Sequence, residues 1–240
     1  MVHFRNIIHA LKCGTQFRLI YYYVFNLLFG KKIFKKNISI KENFEKKIDN
    51  LKFKGILIGL EMQVINFNIP YLYQALFTEQ FLNKKIEGLI IGCYEGHSSL
   101  FFLTSCINTN FTCVDMWDKE KLSIGYNGNA ESYFDKNINL YKNRVKKVKS
   151  DSQSFLNKNN DKFDLIYLDG AHDPIIVEAD CSKSFEFLNH GGILIINSIF
   201  WQGFSNPRSN NLFGIVNFMK NYKNFKILNI TRNTLILKKK

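Results

Sequence analysis

Residues 86–100, IEGLIIGCYEGHSSL, decide how the chain is read. Leu89, Ile90 and Ile91 form a short unbroken apolar run that stops at Gly92, the pattern of a strand buried on both faces of a parallel sheet. Cys93, Tyr94 and Glu95 loop to Gly96. His97, Ser98 and Ser99 then lead into Leu100, Phe101, Phe102 and Leu103, so a serine pair stands where a helix should start. Strand, glycine loop and helix make the first unit of an open α/β sheet, which binds ligands beyond the carboxyl ends of its strands where the strand order reverses. Gly92 and Gly96 would let the backbone approach a ligand that a Cβ would hold off.

Working outward, the same alternation repeats. Strands are predicted at residues 111–114, 145–149, 163–168 and 193–196, with helices at 69–82, 133–141, 155–158, 175–188 and 214–222. Gly191-Gly192 reads as a turn before the fifth strand. Residues 225–230 and 234–237 read as two β runs joined by Thr231-Arg232-Asn233, a hairpin. Seven strands in this order predict a doubly wound α/β sheet, mostly parallel, with an antiparallel C-terminal edge.

The chain of 240 residues is long enough for one large α/β domain with a decorated terminus, and 46% hydrophobic residues provide for a sizeable core. The net charge of +13 would suit an anionic partner, but the lysines are scattered among asparagines and no recognition motif accompanies them, so no nucleic-acid partner is expected. Five cysteines without CxxC spacing argue against a disulfide framework or a zinc site; they read as small buried residues of a cytoplasmic, reducing compartment.

Residues 1–68 form an N-terminal helical and basic extension to a domain spanning 69–240. Phe4, Ile7, Ile8 and Leu11 follow helical spacing. Leu19 to Phe29, LIYYYVFNLLF, is strongly apolar and is followed by Lys31, Lys32, Lys35 and Lys36. A membrane span needs about 20 apolar residues, so this run is too short. Two readings stay open: a helix docked on the main domain, or an interfacial helix giving peripheral membrane contact through aromatics and lysines. Residues 37–54 read as a solvated Lys- and Asn-rich stretch, and residues 55–62 as either a short strand or a buried turn.

Asp115 ends the second strand, twenty-three residues after Gly92. An acidic residue about 20 residues past the glycine loop is placed to accept hydrogen bonds from ribose hydroxyls. Asp151 and Ser152 lie on the same rim and could either meet an adenine edge or cap the helix that follows. The loop GCYEG has three residues between its glycines, unlike the GxG of dinucleotide sites, and favours a smaller adenosyl ligand.

The ordered set GCYEGHSSL, FTCVDMWD, FDLIYLDGAHDP and NHGGILIINSIFW resembles the class I S-adenosylmethionine-dependent methyltransferases. More narrowly it looks like the small-molecule and sugar O-methyltransferase-like branch, with DGAH in place of its DGSH-type motif. The resemblance covers residues 69–240 and implies a Rossmann-like fold, S-adenosylmethionine as cofactor, and a small-molecule or glycan acceptor. It implies that Gly92, Cys93, Tyr94, Glu95, Gly96 and Ser98 surround the methionine part of the cofactor. Asp115 would hold the ribose, Met116 and Trp117 would pack near the adenine with Asp151 and Ser152, and Asp169 and His172 would face the methyl transfer.

Two departures from the family pattern stand out. Ile90 occupies the place of an acidic residue two before the first glycine, and Asn197-Ser198 replaces an acidic pair after the fifth strand. Hard divalent cations prefer several carboxylate oxygens, so Asp169 with an amide and a hydroxyl predicts no tightly bound metal. These departures also leave open a second function, a catalytically degenerate binding or scaffold module. If the site is active, His172 is the candidate general base because imidazole titrates near neutral pH, with Asp169 orienting it or contacting cofactor. Trp201, Arg208 and the aromatics of the loop over residues 116–129 are candidates for a substrate lid.

Overall fold

The computed structural model describes residues 2–15, 17–60, 64–118, 128–231 and 233–240. Its strands are β1 (Glu87–Ile91), β2 (Asn110–Asp115), β3 (Val145–Lys149), β4 (Phe163–Leu168), β5 (Leu188–Ile196), β6 (Phe225–Ile230) and β7 (Leu235–Lys239). Its α-helices are α1 (Val2–Lys12), α2 (Phe17–Phe53), α3 (Ile69–Thr78), α4 (His97–Ser105), α5 (Ala130–Ile138), α6 (Ser152–Lys158), α7 (Pro174–Phe187) and α8 (Asn211–Asn221). The strands make a seven-stranded mixed sheet in the order β3-β2-β1-β4-β5-β7-β6. This is the predicted α/β architecture: a parallel part, with β7 antiparallel to both β5 and β6 at the C-terminal edge. The chain divides into two compact units, residues 33–152 and residues 1–32 with 153–240.

In the first unit, β1 pairs with β2 and β2 with β3, both in parallel. Leu89 and Ile90 are fully buried, as are Cys113 and Val114 beside them, which is why both strands read as continuous apolar runs. On α4, Leu100, Phe101, Phe102 and Leu103 are all buried, so this helix has no solvent face over those residues. Arg144, which the sequence did not single out, donates to the carbonyl oxygens of Leu103, Cys106 and Thr109 at 2.7, 3.0 and 3.1 Å. It thereby ties the last turn and cap of α4 to the loop that follows, at the helix end where the dipole also favours a cation. The Lys- and Asn-rich stretch, residues 37–54, is almost wholly the second half of α2 and stays largely in contact with solvent. Phe44 and Ile48 are buried on one face, with Phe44 stacked on His97 at 5.6 Å and edge-on to Phe101 at 5.8 Å. Phe44 and Ile48, four residues apart, seat this half of the helix, while Ile38, Ile40 and Leu51 are half-buried and Phe53 is exposed. Residues 55–60 form a turn and bend without a strand; residues 61–63 lie outside those described.

In the second unit, β4 and β5 pair in parallel over Leu165–Leu168 and Ile193–Ile196. The sequence placed a turn at Gly191-Gly192, but β5 starts at Leu188 and runs through both glycines, with a register shift between Phe163 and Leu165 absorbing the irregularity. Asp173 caps α7: its carboxylate accepts from the backbone N–H groups of Ile175 and Ile176 at 2.9 and 3.2 Å, and Pro174 occupies the first turn, where its missing donor costs nothing. The N-terminal half of α2 packs its Leu19 and Tyr23 into this unit. The Tyr23 ring lies 4.9 Å from that of Phe200, and Asn26 donates to Asn229 at 2.7 Å.

Candidate functional site

The two motifs read as cofactor-binding, the glycine loop after β1 and the acidic end of β2, meet through the backbone. One carboxylate oxygen of Asp115, Oδ2, accepts the N–H groups of both Cys93 and Tyr94, each at 2.8 Å; the other, Oδ1, accepts the N–H of Trp117 at 2.9 Å. The loop closes on itself where the Gly96 N–H meets the Cys93 carbonyl at 2.8 Å. Gly92 and Gly96 sit at φ of +86° and +94°. At Gly96 a Cβ would also come within 3.2 Å of the Phe134 ring, so glycine is required on both conformational and packing grounds.

The side chains of this loop are turned in different directions. Cys93 is buried, with its thiol near the carbonyls of Ile90 and Val114, and burial raises its pKa well above the ordinary value. Glu95 is buried too; its carboxylate accepts the Leu60 N–H at 2.5 Å. Ser98 is half-buried in the first turn of α4. Gly92, Tyr94, Asp115 and Met116 are half-buried and therefore reachable from solvent. Trp117 is buried: its indole N–H donates to the Tyr94 carbonyl at 2.8 Å, and its ring lies 4.9 Å from Phe134 and 4.8 Å from the Lys147 ammonium. Asp151 is exposed just before α6 and Ser152 begins that helix. Tyr94 and Trp117 adopt φ of 48° and 43°, the left-handed region that bulky residues rarely enter. Both follow strand ends, and local backbone strain of this kind collects at functional sites.

A second polar cluster stands at the ends of β4 and β5. The Asp169 carboxylate is half-buried and accepts from Asn197 Nδ2 at 3.0 Å, Ser198 Oγ at 3.1 Å and Tyr167 OH at 3.2 Å. Burial pushes its pKa from 3.8 to about 6 in spite of those three donors. Asn197 is held in turn by the Thr234 hydroxyl, which donates to Oδ1 at 2.7 Å. Ser198 has φ 56°, a third left-handed residue at a strand end.

Asn211, the first residue of α8, was not legible as a site residue in the sequence. Its side-chain nitrogen lies 3.0 Å from the Ser198 carbonyl and 3.0 Å from Nδ1 of His172. A carbonyl can only accept, so the amide must present NH2 on this side, and we assign Nδ1 of His172 as the acceptor and Nε2 as the protonated nitrogen. The imidazole stacks on Trp201 at 4.5 Å and 9°, and burial lowers its pKa below the ordinary value. Trp201 in turn leaves no space for a Cβ on Gly203. Arg208 lies 6.0 Å over the Phe213 ring. Among the described residues, no three His, Cys, Asp or Glu side chains cluster as metal ligands.

Residues 89–199 match the model of a methyltransferase domain family, and that segment includes the glycine loop, Asp115, Asp169, His172 and Asn197-Ser198. No curated protein matches the sequence. Solved structures do resemble the fold. An O-methyltransferase from Bacillus cereus in complex with SAH is 11% identical, covers 92% of this chain and 99% of its own, and has a TM-score of 0.56. A Staphylococcus aureus protein described as a caffeoyl-CoA O-methyltransferase is 16% identical over 86% of this chain and 98% of its own, with a TM-score of 0.55. An SAH-bound methyltransferase from Podospora anserina is 13% identical over 85% and 87%, with a TM-score of 0.52. At these identities the likeness is one of fold. Family match, strand order and glycine loop agree: residues 89–199, a little under half of the chain, are similar to a methyltransferase domain family, and the fold is similar to that of the solved methyltransferases.

Proposed function

We propose that the protein transfers the methyl group of S-adenosylmethionine to a hydroxyl of a small molecule, glycans included, in the cytoplasm. The observation that supports oxygen as the acceptor is the Asp169 carboxylate. A hydroxyl must lose its proton as the new bond forms, and a carboxyl group raised to about 6 is ionised at neutral pH yet basic enough to take that proton.

The binding side of the reading rests on what the glycine loop and Asp115 offer. A carboxylate has about four lone-pair positions, and three on Asp115 are used by backbone N–H groups among the described residues, which leaves one on Oδ1 for a ribose hydroxyl. The reachable backbone at Gly92 and Tyr94, without a Cβ at either glycine, suits the aminoacyl end of the cofactor. The half-buried Met116 suits the adenine, with Trp117 as the buried wall behind it and Asp151 and Ser152 for its polar edge. The residues present therefore fit an adenosyl ligand. Bound S-adenosylmethionine supplies an electrophilic methyl group on a cationic sulfur. The protein's own residues align the acceptor and remove one proton. Asp169 is the base in this scheme, rather than His172, whose Nδ1 lone pair is engaged by Asn211. The Nε2–H of His172 is then a donor that orients the acceptor oxygen.

Calorimetry with S-adenosylmethionine, followed by methyl transfer from labelled cofactor to a panel of phenols and sugars, tests this. Asp169→Asn should lower turnover at least a hundredfold with cofactor affinity retained. Unchanged turnover in Asp169→Asn would overturn the assignment. Cofactor binding by the native chain without turnover on any acceptor would favour the degenerate binding module that Ile90 and Asn197-Ser198 raise.

A further inference from the structure

The helix α2 is apolar on two faces, and among the described residues only one of them is covered. Leu19 and Tyr23 are 2% exposed and Gly30 is buried, which accounts for the packed side. On another side, Phe17 is 86% exposed, Tyr21 65%, Phe25 48%, Leu28 67% and Phe29 56%. Spacings of four, four and three residues put Phe17, Tyr21, Phe25 and Leu28 on one stripe, and continuing by four and three brings Lys32 and Lys35 onto the same line. Tyr21 and Phe25 stack at 6.3 Å and Phe25 and Phe29 lie 4.6 Å apart, so the rings form a continuous surface. From Phe17 to Lys36 the stripe is about 28 Å long at 1.5 Å per residue. No helix among the described residues is long and apolar enough to cross a membrane.

From this arrangement we infer that the exposed face of α2 is a docking surface for an anionic lipid bilayer, lying in the plane of the headgroups. An exposed run of aromatic and leucine side chains is the composition that enters the headgroup and acyl boundary. The four lysines that follow, Lys31, Lys32, Lys35 and Lys36, are exposed and supply attraction to acidic headgroups. The net charge of +13 adds a long-range pull toward the same surface. Residues 17–36 contain no acidic side chain, so a second copy of the stripe offers the lysine cluster no anionic partner, whereas acidic headgroups do. The inference stands apart from the methyl-transfer reading, because none of these residues belongs to either polar cluster of the site.

The test is flotation of the full chain with vesicles of phosphatidylcholine alone and with about one-third phosphatidylglycerol, with calorimetric cofactor binding as a separate control of folding and of the domain assignment. The native chain should float only with the anionic vesicles, and less at high salt. Phe17→Ser/Tyr21→Ser/Phe25→Ser should lose at least tenfold in partitioning and remain folded, because the replaced rings are exposed. Lys31→Glu/Lys32→Glu/Lys35→Glu should lose more than the roughly fivefold expected for each lysine removed. Absence of flotation with anionic vesicles would overturn the inference, and so would equal flotation of the aromatic variant. A dimer that dissociates in the aromatic variant, without lipid binding, would assign the face to a second copy and overturn it as well.

Discussion

The side-chain amide of Asn211 lies 3.0 Å from Nδ1 of His172 and sets which imidazole nitrogen holds the proton. The orientation is not free to reverse, because the same NH2 group also meets the Ser198 carbonyl at 3.0 Å. A histidine that looks like a base in the sequence is thereby arranged as a donor through Nε2.

Replacing the amide by a carboxylate should reverse that arrangement. In Asn211→Asp the new acceptor would hold a proton on Nδ1, expose the Nε2 lone pair and favour the imidazolium. Proton–nitrogen correlation spectra should report neutral His172 with its proton on Nε2 in the native chain and on Nδ1 in the variant. The pKa should rise by about one to three units. The same tautomer in both proteins would contradict the assigned hydrogen bond.

Asp169 gives the fold a pH dependence of definite sign. Its folded pKa, about 6, lies above the ordinary 3.8, so the native state disfavours the ionised form. Its contribution to stability is therefore whole below pH 3.8 and is lost as pH rises through about 6, by about 3 kcal/mol when complete. Asp169→Asn removes this titration. Urea denaturation should find the variant gaining on the native protein between pH 4 and pH 8, and an equal difference at both pH values would exclude the burial argument. If Asp169 is the base, turnover of the native enzyme should rise through the same interval.

Gly96→Ala combines a backbone penalty at φ +94° with a Cβ placed 3.2 Å from Phe134. The expected cost is about 1–3 kcal/mol, read as a fall in the urea midpoint. Because Gly96 also closes the loop onto Cys93, cofactor affinity should fall in parallel. Full stability in the variant would mean that Phe134 yields more readily than its burial suggests.

Asp115→Ala should act on the loop as well as on the ligand. It strips two N–H groups of their shared acceptor and the Trp117 N–H of its own, at about 1–3 kcal/mol for each donor that water does not reclaim. We expect at least a tenfold weaker Kd for S-adenosylmethionine by calorimetry, with a lower Tm. A weakened Kd at unchanged Tm would mean that the carboxylate serves the ligand alone.

The sequence by itself determined the sheet, the helices beside it and the rim positions of Gly92, Gly96, Asp115 and Asp169. These follow from short-range regularities: apolar runs ended by glycine or aspartate, and helical spacing between them. It said least where the state of a residue depends on distant partners. Residues 37–54 belong to the helical, largely solvated extension, but apolar residues at 38, 40, 44, 48, 51 and 53 do not by themselves show that Phe44 and Ile48 are the pair that meets a surface. Gly191-Gly192 has a turn's composition but lies within β5, where pairing with β4 outweighs glycine's preference. How the side chains around the two polar clusters are turned and paired was decided by the tertiary structure. The burial of Trp117 and Glu95, the clamp of Asp115 on the loop amides and the tautomer of His172 set by Asn211 all join residues far apart in the chain. Hydrogen-bond direction and desolvation arise only when such residues are brought together, so no spacing along the chain encodes them.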